Sequence, residues 1–242
     1  MNNFSFAHRS EGFDVHIEKS IRGYEDLCND VASLSRYFVE ENTDVVDIGC
    51  STGQLTDLII SHNHESTSTN FVGVEVYSGF FASLTARSKH LQEKYPNIST
   101  SFIHDDIRNY TFKNASLITS LFTLQFIPYR DRKSTLKRIY KGLNKGGAFI
   151  FAEKIDTQYS RIENMMRTIY YEYKREHFDY DDIMTKELTL KNMLKPNSWS
   201  EIESVLHRVG FNMIQPFWQN HLFVGAIAIK EWTTTSCING KS

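Results

Sequence analysis

Apolar positions change their period several times along the chain, and each change marks an element. In "YEDLCNDVASLSRYF" (24–38), Leu27, Val31, Leu34 and Phe38 recur at helical spacing. "DVVDI" (44–48) carries a β-branched run that reads as a short buried strand, and helical spacing returns over 54–62. A second strand, "FVGVEV" (71–76), precedes a helix over 81–95, a third strand over 99–107 and a fourth over 115–126. "DRKSTLKRIYKGL" (131–143) is an amphipathic helix stopped by Asn144 and the Gly146-Gly147 pair. "GAFIFAEK" (147–154) is a fifth strand. Residues 156–195 are polar and read mostly as helix, 199–211 as a further helix, and 217–230 as two final strands.

Strands alternating with helices of this length predict an α/β fold with a doubly wound, mostly parallel sheet of seven strands. The last two strands have no helix between them, so they are expected to close as an antiparallel hairpin at a sheet edge. The expected organisation is one domain over residues 1–242, with a polar N-terminal arm over 1–22 and a helical cap insertion over about 154–200.

Composition narrows the function classes. Apolar residues make up 40 % of the 242 residues, enough for a sizeable core. A net charge of −2 gives no global field that would draw the chain to nucleic acid, so direct nucleic-acid binding is not expected. Cys28, Cys50 and Cys237 are too few and too scattered for a disulfide framework. His8, His16, His104 and His221 have no ligand spacing, so no metal is expected. The polar N-terminal stretch predicts no signal peptide, and no apolar run is long enough to predict a membrane span. The expected setting is cytoplasmic, and the expected partner is a small-molecule substrate.

Chemistry concentrates where the first strand turns into a helix, in "VVDIGCSTGQL" (45–55). Gly49 can take positive φ and lets the backbone approach a ligand, and Gly53 lets the next helix start close to the strand. The turn lacks the glycine spacing of a dinucleotide fingerprint, and no Lys follows to make a phosphate loop. What fits is a nucleoside carrying an amino acid. The Asp47-x-Gly49-x-x-x-Gly53 turn resembles motif I of class I S-adenosylmethionine-dependent methyltransferases. Glu75 ends the second strand, where a carboxylate can accept both ribose hydroxyls. Asp106 follows in "HDDI", placed for the adenine amino group, with Ile107 packing on the ring.

Further stretches narrow the resemblance. "SIRGY" (20–24), "FTLQFIP" (122–128), "IYKGLNKGGAFIFAEK" (139–154) and "YKRE…LHRVGF" (173–211) are similar to the carboxy-S-adenosylmethionine synthases, over about residues 14–230. Those enzymes convert S-adenosylmethionine and prephenate to carboxy-S-adenosylmethionine, which feeds modification of wobble uridine in tRNA, and they pair as homodimers. The resemblance implies that Tyr24 holds the methionine portion of S-adenosylmethionine, that Gly49, Cys50 and Ser51 line its turn, and that Glu75, Val76, Asp106 and Ile107 frame ribose and adenine.

Three positions depart from that family's pattern. Leu121 stands in place of an Asn, Tyr170-Tyr171 in place of a His pair, and Glu187 in place of an Arg that grips the added carboxylate. A guanidinium gives a carboxylate two parallel hydrogen bonds, whereas a Glu repels it, unless Arg167, Arg175 or Lys191 takes over. The cap supplies the catalytic candidates Tyr170, Tyr171 and Ser198. A Tyr ring face could stabilise a sulfonium, and the Ser198 hydroxyl could reach the methionine amine or simply cap a helix.

The first expectation is methyl transfer to a small molecule, which the fold implies. The alternatives are carboxy-S-adenosylmethionine synthesis, and cyclisation of S-adenosylmethionine to azetidine-2-carboxylate with release of 5′-methylthioadenosine. A non-catalytic subunit of a tRNA-modifying complex is the alternative from another class.

Overall fold

A computed structural model describes residues 12–231. His8, Cys237 and the first eleven residues of the expected arm lie outside the described residues. In chain order the elements begin with α1 (Phe13–Ser20), α2 (Tyr24–Ser35), β1 (Asp44–Ile48), α3 (Gln54–Asn63), β2 (Asn70–Glu75), α4 (Phe81–Lys94), β3 (Ser99–His104) and β4 (Ala115–Leu121). They continue with α5 (Tyr129–Gly142), β5 (Leu143–Asp156), α6 (Ser160–Arg175), α7 (Tyr180–Met193), β6 (Asn197–Ser198), α8 (Trp199–Val209), β7 (Met213–Asn220) and β8 (Phe223–Ile229). The sheet runs β3-β2-β1-β4-β5-β8-β7, and the two-residue β6 pairs with the end of β5. The five strands from β3 to β5 are parallel, and β8 and β7 complete the sheet antiparallel.

Side-chain alternation sorts the core into two layers. Val46 and Ile48 of β1, Ile118 of β4 and Phe149 and Phe151 of β5 pack with Leu136 and Ile139 of α5 and Leu206 and Val209 of α8. Val45, Leu117, Ile150 and Ala152 face the other way, against Leu27 and Val31 of α2 and Ile59 and Ile60 of α3. The same alternation continues past the apolar part of β5. It sends Glu153 toward α5 and α8, and Lys154 to the opposite side, where α6 and α7 sit.

The structure differs from the sequence expectations at several ends. Residues 13–20 were expected in a polar arm but form α1, whose His16 and Ser20 are buried. The fourth strand stops at Leu121 because Phe122 takes φ +56°, which turns the chain away from the sheet. The third strand stops at His104, short of the acids. The fifth begins at Leu143 rather than Gly147. The glycine pair is carried within the strand because Gly146 takes positive φ and donates to the Lys230 carbonyl, while Lys230 N–H bonds Gly147 O. The seventh begins earlier too, at Met213, and carries Pro216 with a register shift between Pro216 and Trp218.

Ser198 is the N-cap of α8 in a complete capping box. Its Oγ accepts from the Glu201 N–H at 3.3 Å, and its own N–H bonds the Glu201 carboxylate at 2.8 Å. Ser198→Ala is therefore expected to cost about 1 kcal/mol and to lower the thermal midpoint by a few degrees, with binding of S-adenosylmethionine unchanged, both read by thermal denaturation with and without ligand. Burial pushes Glu153 from 4.5 up to about 8, against the opposing pull of Arg132 on α5. The folded chain thus holds a proton that the unfolded chain has released, so stability falls as pH rises between about 4.5 and 8. Glu153→Gln is expected to remove up to one proton's worth of that slope, about 1.4 kcal/mol per pH unit, in urea unfolding across that window.

Candidate functional site

Strand order reverses between β1 and β4, since the chain builds outward from β1 through β2 to β3 before returning to β4. The carboxyl ends of strands on either side of such a reversal leave a crevice. Here a cavity of about 530 Å³ opens at that point, within the range of cofactor-sized sites. Its floor is the turn after β1, its far wall is the end of β2, and α1 and α7 close it from the cap side.

The turn is fixed by its backbone. Gly49 takes φ +69° and Gly53 φ +76°. Gly49 N–H bonds Val74 O at 2.8 Å, and Gly53 N–H bonds Cys50 O at 2.7 Å. A Cβ on Gly49 would lie 2.2 Å from Thr123 Oγ1, so the glycine admits the end of β4 as well as any ligand. A Cβ on Gly53 would press on Phe102 at 3.0 Å, and Gly53 itself does not line the cavity. Ser51, at φ +51°, donates its N–H to Glu75 Oε2 at 3.0 Å, and Tyr77 N–H bonds the other oxygen at 2.7 Å. Two backbone donors thus aim the Glu75 carboxylate, and burial raises its pKa despite them. Each oxygen keeps a lone pair for a ribose hydroxyl.

Asp47 lies beneath. It accepts from Thr56 Oγ1 at 2.8 Å and Thr119 Oγ1 at 2.9 Å, and burial pushes it up to about 6. These two bonds tie β1 to α3 and β4. Tyr24 and Leu121 line the cavity, and the Tyr24 hydroxyl is paired with Cys28. Cys50, Val76 and Ile107 line it as well, and burial keeps the Cys50 thiol protonated. Asp106 also lines the cavity, but the Arg108 guanidinium already forks onto it and holds its carboxyl below the usual range. An adenine amino group would have to share that carboxylate.

The cap candidates separate. Tyr170 reaches the cavity and Tyr171 does not. Tyr171 instead bonds Arg167 and Glu187. Two ammonium groups stand over the Tyr170 ring, Lys174 Nζ at 5.0 Å and Lys154 Nζ at 5.6 Å. A sulfonium at the Tyr170 ring would compete with them for the same π-density. Ser198 lies outside the cavity lining as the helix cap described above. Glu187 does line the cavity, but neither Arg167, Arg175 nor Lys191 shares it. Its partners are Lys154 at 3.9 Å and Lys174 at 3.7 Å.

Sequence reasoning missed the α1 wall (Phe13, Asp14, His16, Ile17 and Ser20), as well as Lys154, Lys186, Thr123 and Gln125. Lys154 had a signal, because it ends the apolar run of β5 on the parity of Ile150 and Ala152. The α1 residues had none, since their roles depend on long-range contacts. Thr52 Oγ1 donates to Asp14 at 2.6 Å, the Tyr173 hydroxyl donates to Glu18 O at 2.9 Å, and Lys186 Nζ meets His16 Nε2.

The donor set suits S-adenosylmethionine: a glycine turn open to an amino-acid moiety, an aimed carboxylate on the next strand, and the buried apolar Ile107 for a flat ring. Comparisons with known proteins agree. A methyltransferase-domain family model matches residues 45–147. Solved structures with the same fold include the CurJ carbon methyltransferase, with a TM-score of 0.60 at 14 % identity over 91 % of this chain and 58 % of that one. An O-methyltransferase family protein from Burkholderia thailandensis gives a TM-score of 0.60 at 13 % identity over 93 % of this chain and 61 % of that one. The carboxy-S-adenosyl-L-methionine synthase of Staphylococcus epidermidis is 35 % identical, over 95 % of this chain and 99 % of its own length. That of Mannheimia succiniciproducens is 30 % identical over 95 % of each. With relatives matched along nearly their whole length and the same crevice at the strand reversal, this S-adenosylmethionine-dependent enzyme of methyltransferase fold belongs to the carboxy-S-adenosyl-L-methionine synthase family.

Proposed function

We propose that the enzyme makes carboxy-S-adenosylmethionine from S-adenosylmethionine and prephenate. Prephenate gives up its ring carboxylate to the methyl carbon of S-adenosylmethionine, the methyl proton and the prephenate hydroxide leave together as water, and phenylpyruvate remains. S-adenosylmethionine supplies a methyl group made acidic by the adjacent sulfonium. Tyr24, the 49–51 turn, Glu75, Val76, Asp106 and Ile107 would hold it, with Leu121 beside the turn.

One observation carries the reading. At the cap end of the cavity two ammonium groups, Lys154 and Lys174, share one carboxylate, Glu187. Lys154 and Glu187 line the cavity and Lys174 lies buried behind them, so the three-residue cluster is net positive. It attracts an anionic second substrate and disfavours a bare sulfonium held alone. The repulsion expected from Glu187 on the sequence is therefore offset by lysines from β5 and α6. Methyl transfer to an external acceptor, the reading that the fold alone gives, has no such wall to explain. Cyclisation would rest on a Tyr ring free for the sulfonium, and the Tyr170 ring already carries Lys154 and Lys174.

The family resemblance implies a homodimer, and we propose the outer face of the cap as the surface that meets the second copy. Ile162, Met165 and Ile169 make an exposed apolar stripe along α6, with Tyr159 at its start. Incubated with S-adenosylmethionine alone, the enzyme is expected to leave it intact. With prephenate added, mass spectrometry is expected to show a gain of one carbon dioxide and the appearance of phenylpyruvate. Release of 5′-methylthioadenosine without prephenate, or an unchanged cofactor with it, would falsify the reading. Met165→Glu is expected to shift the chain from dimer to monomer in size-exclusion chromatography with light scattering, and an unchanged mass would remove the stripe from the interface.

A further inference from the structure

The chemistry at Glu187 poses a sharper question: which group receives the second substrate's carboxylate. Lys154 Nζ lies 3.9 Å and Lys174 Nζ 3.7 Å from the Glu187 oxygens. Both separations exceed the 2.7–2.9 Å of a formed charge-assisted hydrogen bond. Glu187 therefore leans between two ammonium groups without closing on either. The two lysines are not equivalent. Lys154 lines the cavity, whereas Lys174 does not line it and its side chain is 1 % exposed. Tyr171, which does not line the cavity, also interacts with Glu187.

Lys154 is also held in place. Its backbone N–H donates to Gln125 Oε1 at 2.8 Å, and it lies within strand β5, two residues before its end at Asp156. The Tyr170 ring supports its ammonium at 5.6 Å, a contact that leaves the three N–H donors available to an acceptor.

We propose that Lys154 binds the carboxylate of the second substrate, and that Glu187 is its resident counter-ion, which withdraws toward Lys174 and Tyr171 when that carboxylate arrives. This rests on the reading of the second substrate as prephenate. The exchange is inexpensive because no charge is left alone. Glu187 keeps Lys174, and Lys154 gains an oxygen at hydrogen-bonding distance in a desolvated setting, where such a bond is strong. Before binding, Glu187 keeps Lys154 from standing as an uncompensated buried cation. Desolvation already draws that ammonium below its usual pKa range, and Glu187 acts against this. A Glu is thus compatible with a carboxylate site: it is the group displaced, not the group that grips.

The test is steady-state kinetics with prephenate together with calorimetric binding of S-adenosylmethionine, on the wild-type chain and on Lys154→Met, Lys154→Arg and Glu187→Gln. Lys154→Met is expected to raise the KM for prephenate about thirty-fold or more while kcat and the Kd for S-adenosylmethionine move much less. Lys154→Arg is expected to recover most of the loss, and Glu187→Gln to lower the prephenate KM, because the competing carboxylate is gone. A prephenate KM that is unchanged in Lys154→Met overturns the proposal while wild-type turnover leaves the broader reading standing. So does a Glu187→Gln variant that loses prephenate affinity. If Lys154→Met does not fold, Lys154→Arg and Glu187→Gln read the same KM. A wild-type chain that makes no carboxylated product overturns both.

Discussion

Asp47 sits one residue from the end of a strand that is apolar on both sides. Its two oxygens take one hydroxyl from α3 and one from β4. A buried carboxylate with both oxygens satisfied fixes the distance between the elements that satisfy it. β1 and β4 are the strands between which the order reverses, so this tie sets the width of the crevice. The Gly49 turn, the Thr123 contact over it and the Glu75 carboxylate beside it are all positioned relative to that gap. The interior allows polar chemistry only where it is paired, which drives the remaining functional groups to the strand ends.

Strand ends were therefore the legible part of the site. The Asp47–Gly53 turn and Glu75 could be read from the sequence because their chemistry is local: each lies within a few residues of a strand boundary. The parallel sheet and its antiparallel closing hairpin were legible for the same reason, from alternation and from the missing helix between β7 and β8. What was not legible depends on distance in sequence. α1 looked polar because its partners, Thr52, Tyr173 and Lys186, lie far along the chain. Tyr170 and Tyr171 are neighbours, but a helix turns them by about 100°, and only one reaches the cavity. The extension of β5 back to Leu143 hinges on Gly146 pairing with Lys230, which no local pattern reveals.

The cap changes what a single substitution means. Glu187, taken alone, opposes a carboxylate. Set between Lys154 and Lys174, it becomes part of a group whose sum is positive. Charge at a site is a property of the cluster rather than of one residue, and the alternation of β5 contributes to two clusters at once. Glu153 turns one way to bond the Leu124 N–H at 3.1 Å, and Lys154 turns the other way into the cavity. Adjacent residues of one strand thus hold the segment over the site and charge its wall.

The outer strand of the hairpin bears on how the protein behaves when concentrated. Among the described residues β7 is one of the two edges of the sheet, opposite β3, and an edge offers unpaired backbone groups to any strand that meets it. Pro216 has no N–H to offer, and the shift in register next to it bends the strand out of line. Both features disfavour regular pairing of another chain across that position. The hairpin therefore completes the sheet with an edge that is less open to strand-to-strand pairing at high concentration.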